Sequence, residues 1–69
     1  MSHSIQSQAA RAALARAAWV RSQSPTYDEN AVSDLLADIR HLCAAEGFDF
    51  DRCQRVADMY FRDESGGAS

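Results

Sequence analysis

The stretch AEGFDFDRC, residues 45–53, lies between two strongly periodic apolar patterns. Before it, Val32, Leu35, Leu36, Ile39, Leu42 and Cys43 recur at steps of three and four, the spacing of one helical face. After it, Phe50, Cys53, Val56, Ala57, Tyr60 and Phe61 do the same and define a second buried stripe. Inside the stretch, Gly47 can take the left-handed conformation that ends a helix at no steric cost. Asp49 is placed to cap the following helix, and Phe48 just before it can staple onto Cys53. These features predict a tight helical hairpin. A short turn containing glycine is also the elbow of a helix-turn-helix, so the functional question is whether the second arm reads DNA.

Working outward, the helix before the turn is expected over 28–46. It opens at TYDE, either with Thr26 and Glu29 at capping-box spacing or with Asp28 as cap and Tyr27 and Val32 as staple. Pro25 separates it from a first helix over 4–22, in which seven of the ten residues 9–18 are alanine, the best helix former. There Ala10, Ala13, Leu14, Ala17 and Val20 share one small-residue face that lets another helix come close, whereas Trp19 points to the other side, near Ala12, Ala15 and Arg16. The third helix is expected over 49–63. SGGAS, residues 65–69, has no apolar side chain large enough to anchor it and reads as a flexible tail. The fold expected is all-α: a single three-helix domain over 1–64, with an N-terminal Ala-rich helix packed on an antiparallel helical hairpin.

A chain of 69 residues buries only about 60% of the surface its unfolded form exposes, so its stability is marginal and a partner subunit is a reasonable expectation. Arg11, Arg16 and Arg21 interrupt every apolar run long enough to span a bilayer, so no membrane association is expected. Three Arg and no acid in residues 1–27 is the composition of a targeting peptide, but its removal would leave about 40 residues, too few for a domain that folds unaided. No secretory h-region and cleavage site are visible, which points to the cytoplasm and to reduced thiols. Cys43 and Cys53 then read as small core hydrophobes.

Charge is divided unevenly. Residues 1–27 carry plus 3; residues 28–69 hold all ten acids against four Arg, and the chain nets minus 3. Such an acidic part repels nucleic acid. In the DNA-reading alternative Arg52, Gln54 and Arg55 would reach bases, but Asp51 and Asp58 stand at the i to i+4 spacing that pairs them with Arg55 and Arg62. The segment Asp49 to Glu64 nets minus 2, the wrong sign for a phosphate footprint.

Other chemistry is also weakly signalled. Asp34, Asp38 and His41 fall at i, i+4 and i+7, a spacing that suits a divalent ion, but no fourth ligand is evident and a solvated face accounts for them; no metal or other cofactor is expected. His41 with a cysteine could make a thiolate–imidazole pair, but a buried thiol is inert, and no Gly-rich phosphate loop is present. The chain does not read as an enzyme. Protein binding has more support: Trp19 flanked by Arg has the composition of an interface hot spot. Its alternative role is to cover the core edge near Pro25 and Tyr27. The acidic face of Asp34 and Asp38, extended by Glu46, reads either as a solvated surface or as carboxylates placed where phosphates lie in a partner's basic channel.

The stretch from Asp28 to Glu64, with DLLADIRHLC, then EGFDFD, then the aromatic pair Tyr60 and Phe61 close to an acidic end, resembles a group of short all-helical proteins from bacteriophages and mobile elements of GC-rich bacteria. In size, charge and lack of catalytic residues the chain is also similar to anti-CRISPR proteins. That resemblance implies a non-enzymatic inhibitor that binds a CRISPR effector subunit at its basic DNA channel and blocks target DNA. The partner-binding residues expected on this reading are Asp34, Asp38, His41, Trp19 and Glu46, with no direct contact to nucleic acid. The alternatives are a helix-turn-helix regulator and a structural homo-oligomer closed through the Ala face of the first helix.

Overall fold

The computed structural model describes residues 4–66. It is all-α: α1 (Ile5–Val20), α2 (Glu29–Glu46) and α3 (Phe50–Gly66), with no strand among the described residues. None of these helices is long and apolar enough to cross a membrane. The chain divides into two compact units, Met1–Ile39 and Arg40–Ser69.

The first unit holds α1 and the opening turns of α2. Ser4 caps α1, its hydroxyl accepting from the Ser7 N–H at 3.0 Å. At the other end the Ser22 N–H donates to the Trp19 carbonyl at 3.0 Å and the Gln23 N–H to the Ala18 carbonyl at 2.9 Å, the two bonds of a Schellman motif. The left-handed residue of that motif is Ser22, at φ 58°, where glycine is the usual occupant. A Cβ in this region costs about 1 kcal/mol, partly offset by the greater freedom glycine has in the unfolded chain. Ser22→Gly is therefore expected to raise the thermal midpoint by a few degrees in a circular dichroism melt. An unchanged midpoint would mean that the serine is compensated in place.

Asp28, not Thr26, caps α2: its Oδ1 accepts from the Ala31 N–H at 2.9 Å and its carbonyl from the Val32 N–H at 3.1 Å. Between α1 and α2, Leu14 is buried at 9% exposure, with Ala17, Ala18, Ala31 and Leu35 half-buried around it. The face of α1 that packs is thus turned by roughly a quarter of the helix from the expected one. Ala10, Ala13 and Val20 are exposed. Alanine is apolar all around the helix, so periodicity alone did not select the side that meets α2. On α2, Val32, Leu36 and Ile39 are exposed as well, although they belong to its most regular apolar pattern.

The second unit holds the last turns of α2, the turn and α3. Gly47 is left-handed at φ 76°, and the Phe48 N–H donates to the Cys43 carbonyl at 2.8 Å, so α2 ends as expected. Asp49 caps α3: its Oδ1 accepts from the Arg52 N–H at 3.0 Å, and its carbonyl accepts from the Cys53 N–H at 3.0 Å. Cys43 is buried, Phe50 and Val56 are half-buried, and the Arg40 guanidinium lies 5.2 Å from the centre of the Phe50 ring.

The remainder of the expected α3 stripe is not buried. Cys53, Ala57, Tyr60 and Phe61 are exposed, and Leu42 on α2 with them. A single neighbouring helix covers only a narrow seam, and a stripe this broad extends past it. The expected tail also starts too early: α3 runs through Gly66, and the Ser65 hydroxyl donates to the Phe61 carbonyl at 2.7 Å. Residues 67–69 of that tail lie outside the described residues.

Candidate functional site

Trp19 is 65% exposed on the outer side of α1, away from the Leu14 seam. Its ring is partnered by the guanidinium of Arg16, one turn earlier on the same helix, at 4.1 Å from the ring centre. That contact holds the indole against the helix and still leaves most of it open. The alternative role, covering the core edge near Tyr27, does not fit this exposure. Tyr27 is instead covered by the Arg11 guanidinium at 4.1 Å.

Next to Trp19 in sequence, the exposed part of the Ala face forms the floor of an open groove of about 490 Å³, lined by Ala13, Ala17 and Val20 of α1 and Leu35 of α2. Arg16 stands at its margin, and so do Arg21 and Asp38. The floor is apolar and its side chains are short, so a partner's side chains can reach close to the α1 backbone. Sequence periodicity found the small residues but assigned them to the interior.

Arg21 and Asp38, seventeen residues apart, form a two-pronged ion pair, with Arg21 Nη1 donating to Asp38 Oδ2 at 2.6 Å and Nη2 to Oδ1. The hydrogen bond to Asp38 and its charge raise the Arg21 pKa above its ordinary value, and the charge of Asp34 adds to the same effect. Asp38 therefore acts first on a cation of its own chain. Asp34, His41 and Glu46 are exposed, and Asp38 is half-buried. Because the pair is partly solvated, breaking it costs little: Arg21→Gln is expected to lower the melting midpoint by no more than about 4 °C. The charge swap Arg21→Asp with Asp38→Arg is expected to recover that loss. Failure of the swap would assign the effect to packing of the arginine stem.

In the second unit, Phe48, Cys53, Val56, Ala57 and Tyr60 line a second apolar concavity of about 620 Å³, bordered by Asp49 and Arg52. The ion pairs expected along α3 are not formed among the described residues. Arg62 Nε donates instead to the Asp58 carbonyl at 3.4 Å. No group of three or more His, Cys, Asp or Glu side chains is placed to hold a metal ion among the described residues. Sequence reasoning also missed the influence of Cys53 on Cys43, whose thiol pKa is pushed up first by burial and then by its neighbour across the turn. A signal was present, since both cysteines stand five positions from Phe48.

Comparison with known proteins finds no match to this chain among family models, curated proteins or solved structures.

Proposed function

We propose that this chain acts by binding a protein, without catalysis, through the apolar surface of its first unit. The observation that carries this reading is the exposure of Trp19 on α1, the helix whose other side lines an open apolar groove, on a chain whose buried core among the described residues is Leu14 and Cys43. Solvent-exposed apolar surface of this kind is the common mark of an interaction site. A flat aromatic ring held by an arginine is the type of anchor that supplies most of the energy at such a site.

The partner proposed is a nucleic-acid machine of a bacterial host, most concretely a CRISPR effector subunit with a basic DNA channel. The net charge of minus 3 supports attraction to such a channel, and Asp34 and Glu46 present exposed carboxylates. Asp38 contributes less than its position on α2 suggests, because Arg21 already neutralises it. On this reading apolar contacts hold the complex and acidic residues speed its formation.

The test is capture of partners from the lysate of a GC-rich bacterial host, with Trp19→Ala as the paired bait, washed at low and at moderate salt. The proposal expects a nucleic-acid-handling protein complex that is retained by the native chain, released in part by salt, and lost with the variant. Recovery of DNA in place of protein, or identical recovery on both baits, would overturn it.

A further inference from the structure

Arg52, Val56, Met59 and Asp63 recur along α3 at steps of four, three and four, and so form one row on the helix. The spacing is the same from either end, but the charge is not: the row begins on a cation and ends on an anion, with apolar side chains between them. Arg52 and Val56 also line the concavity of about 620 Å³, together with Phe48, Cys53, Ala57 and Tyr60. Val56 is half-buried and the others are exposed. Neither the Arg52 guanidinium nor the Asp63 carboxylate makes an ion pair among the described residues.

We propose that this face of α3 is a homodimer interface, on which two copies of the chain pair about a two-fold axis with their α3 helices antiparallel. In that arrangement the row of one copy lies along the row of the other in reverse order. Arg52 of each copy then meets Asp63 of the other, and Val56 of each meets Met59, so every contact occurs twice. A parallel pairing would instead oppose like charges at both ends of the row.

A second copy is the occupant that the second unit itself calls for. Arg40–Ser69 is shorter than the about 40 residues below which a fold usually needs disulfides, a metal or oligomerisation. Its cysteines are free, and no side-chain group among the described residues is placed to hold a metal ion. The side chain it buries among the described residues is Cys43. The area also fits. Phe48 and Tyr60, 56% and 60% exposed, leave about 250 Å² of ring surface open. Met59, Cys53 and Ala57 bring the face towards the about 500 Å² of apolar surface that each copy gives to a homodimer of standard size. Pairing through it gathers two helical hairpins around one shared core. None of these residues belongs to the first unit, where the proposed partner surface lies.

The experiment is sedimentation equilibrium of the full chain over a concentration series at moderate salt. The native chain is expected to reach twice its 7.6 kDa mass and to dissociate on dilution. Tyr60→Glu, which puts a charge on the exposed face, is expected to sediment as a single chain. Arg52→Asp opposes two acids at each end of the row and is expected to raise the dimer dissociation constant about tenfold. Arg52→Asp combined with Asp63→Arg is expected to restore it. That swap places an acid in the first turn of α3 and a base in the last, as the helix dipole favours, so the helix is kept. A single-chain mass for the native protein at every concentration would overturn the proposal. So would a dimer indifferent to Tyr60→Glu, or a double variant that pairs no better than Arg52→Asp alone.

Discussion

Leu14→Ala is expected to lower the unfolding free energy by about 2–3 kcal/mol and the melting midpoint by about 10 °C or more. Leu14 is the large apolar side chain that α1 buries, and its neighbours Ala17 and Ala18 are too small to take over its contacts. The cost lies at the low end for a Leu→Ala change, since Ala31 and Leu35 are only half-buried and water can enter the space left behind. A domain of this size has only about 3–5 kcal/mol to lose. The variant is therefore expected to populate unfolded first-unit conformations already near room temperature. Two observables separate the outcomes: helical circular dichroism follows the whole chain, and the fluorescence of Trp19, the single tryptophan, follows α1. A loss below about 1 kcal/mol would show that Leu14 is not what holds α1 to α2.

The parts of the fold that were legible in the sequence are those set by local rules. Gly47 as a left-handed C-cap, Asp49 as an N-cap and the hairpin between them depend on residues within four positions of one another, and each is found where the pattern predicts it. What the sequence did not supply is the side of each helix that is covered. On α1 the alanines leave the apolar face undefined, and the orientation is marked instead by three arginines: Arg11 over Tyr27, Arg16 over Trp19, and Arg21 paired with Asp38. Two of these contacts join distant positions, which no helical period can report. On α3 the period was correct and the burial was not, because one neighbour covers Phe50 and Val56 but does not reach Tyr60 and Phe61, which stay 60% and 67% exposed.

The same distinction bears on the candidate site. Trp19 could be placed on the outer side of α1 from its angle alone, and the structure leaves it there. The acidic residues could be placed on α2 but not paired, since the partner of Asp38 comes from the C-terminal end of α1. Arg21 thus changes how a mutation at Asp38 must be interpreted. A charge reversal there removes an internal contact as well as an acidic charge, so a loss of binding carries weight only when the melt shows the fold intact.

Trp19→Ala is the change expected to separate binding from folding most sharply. The indole is largely in solvent and its stacking partner, Arg16, belongs to the same helix, so truncation removes little that holds the first unit together. Alanine is also the better helix former, and the midpoint is expected to stay within a few degrees of the native value. Affinity for the captured partner, measured by titration calorimetry, is expected to fall by about 30-fold or more, the loss typical of an interface hot spot. Arg16→Ala is expected to give a smaller loss, because the ring remains but is no longer held against the helix and must be ordered on binding. This order follows from the proposed roles of anchor and support. If instead Trp19→Ala binds as tightly as the native chain while Tyr60→Ala does not, the partner rests on α3 and the apolar concavity beside Phe48 is the site.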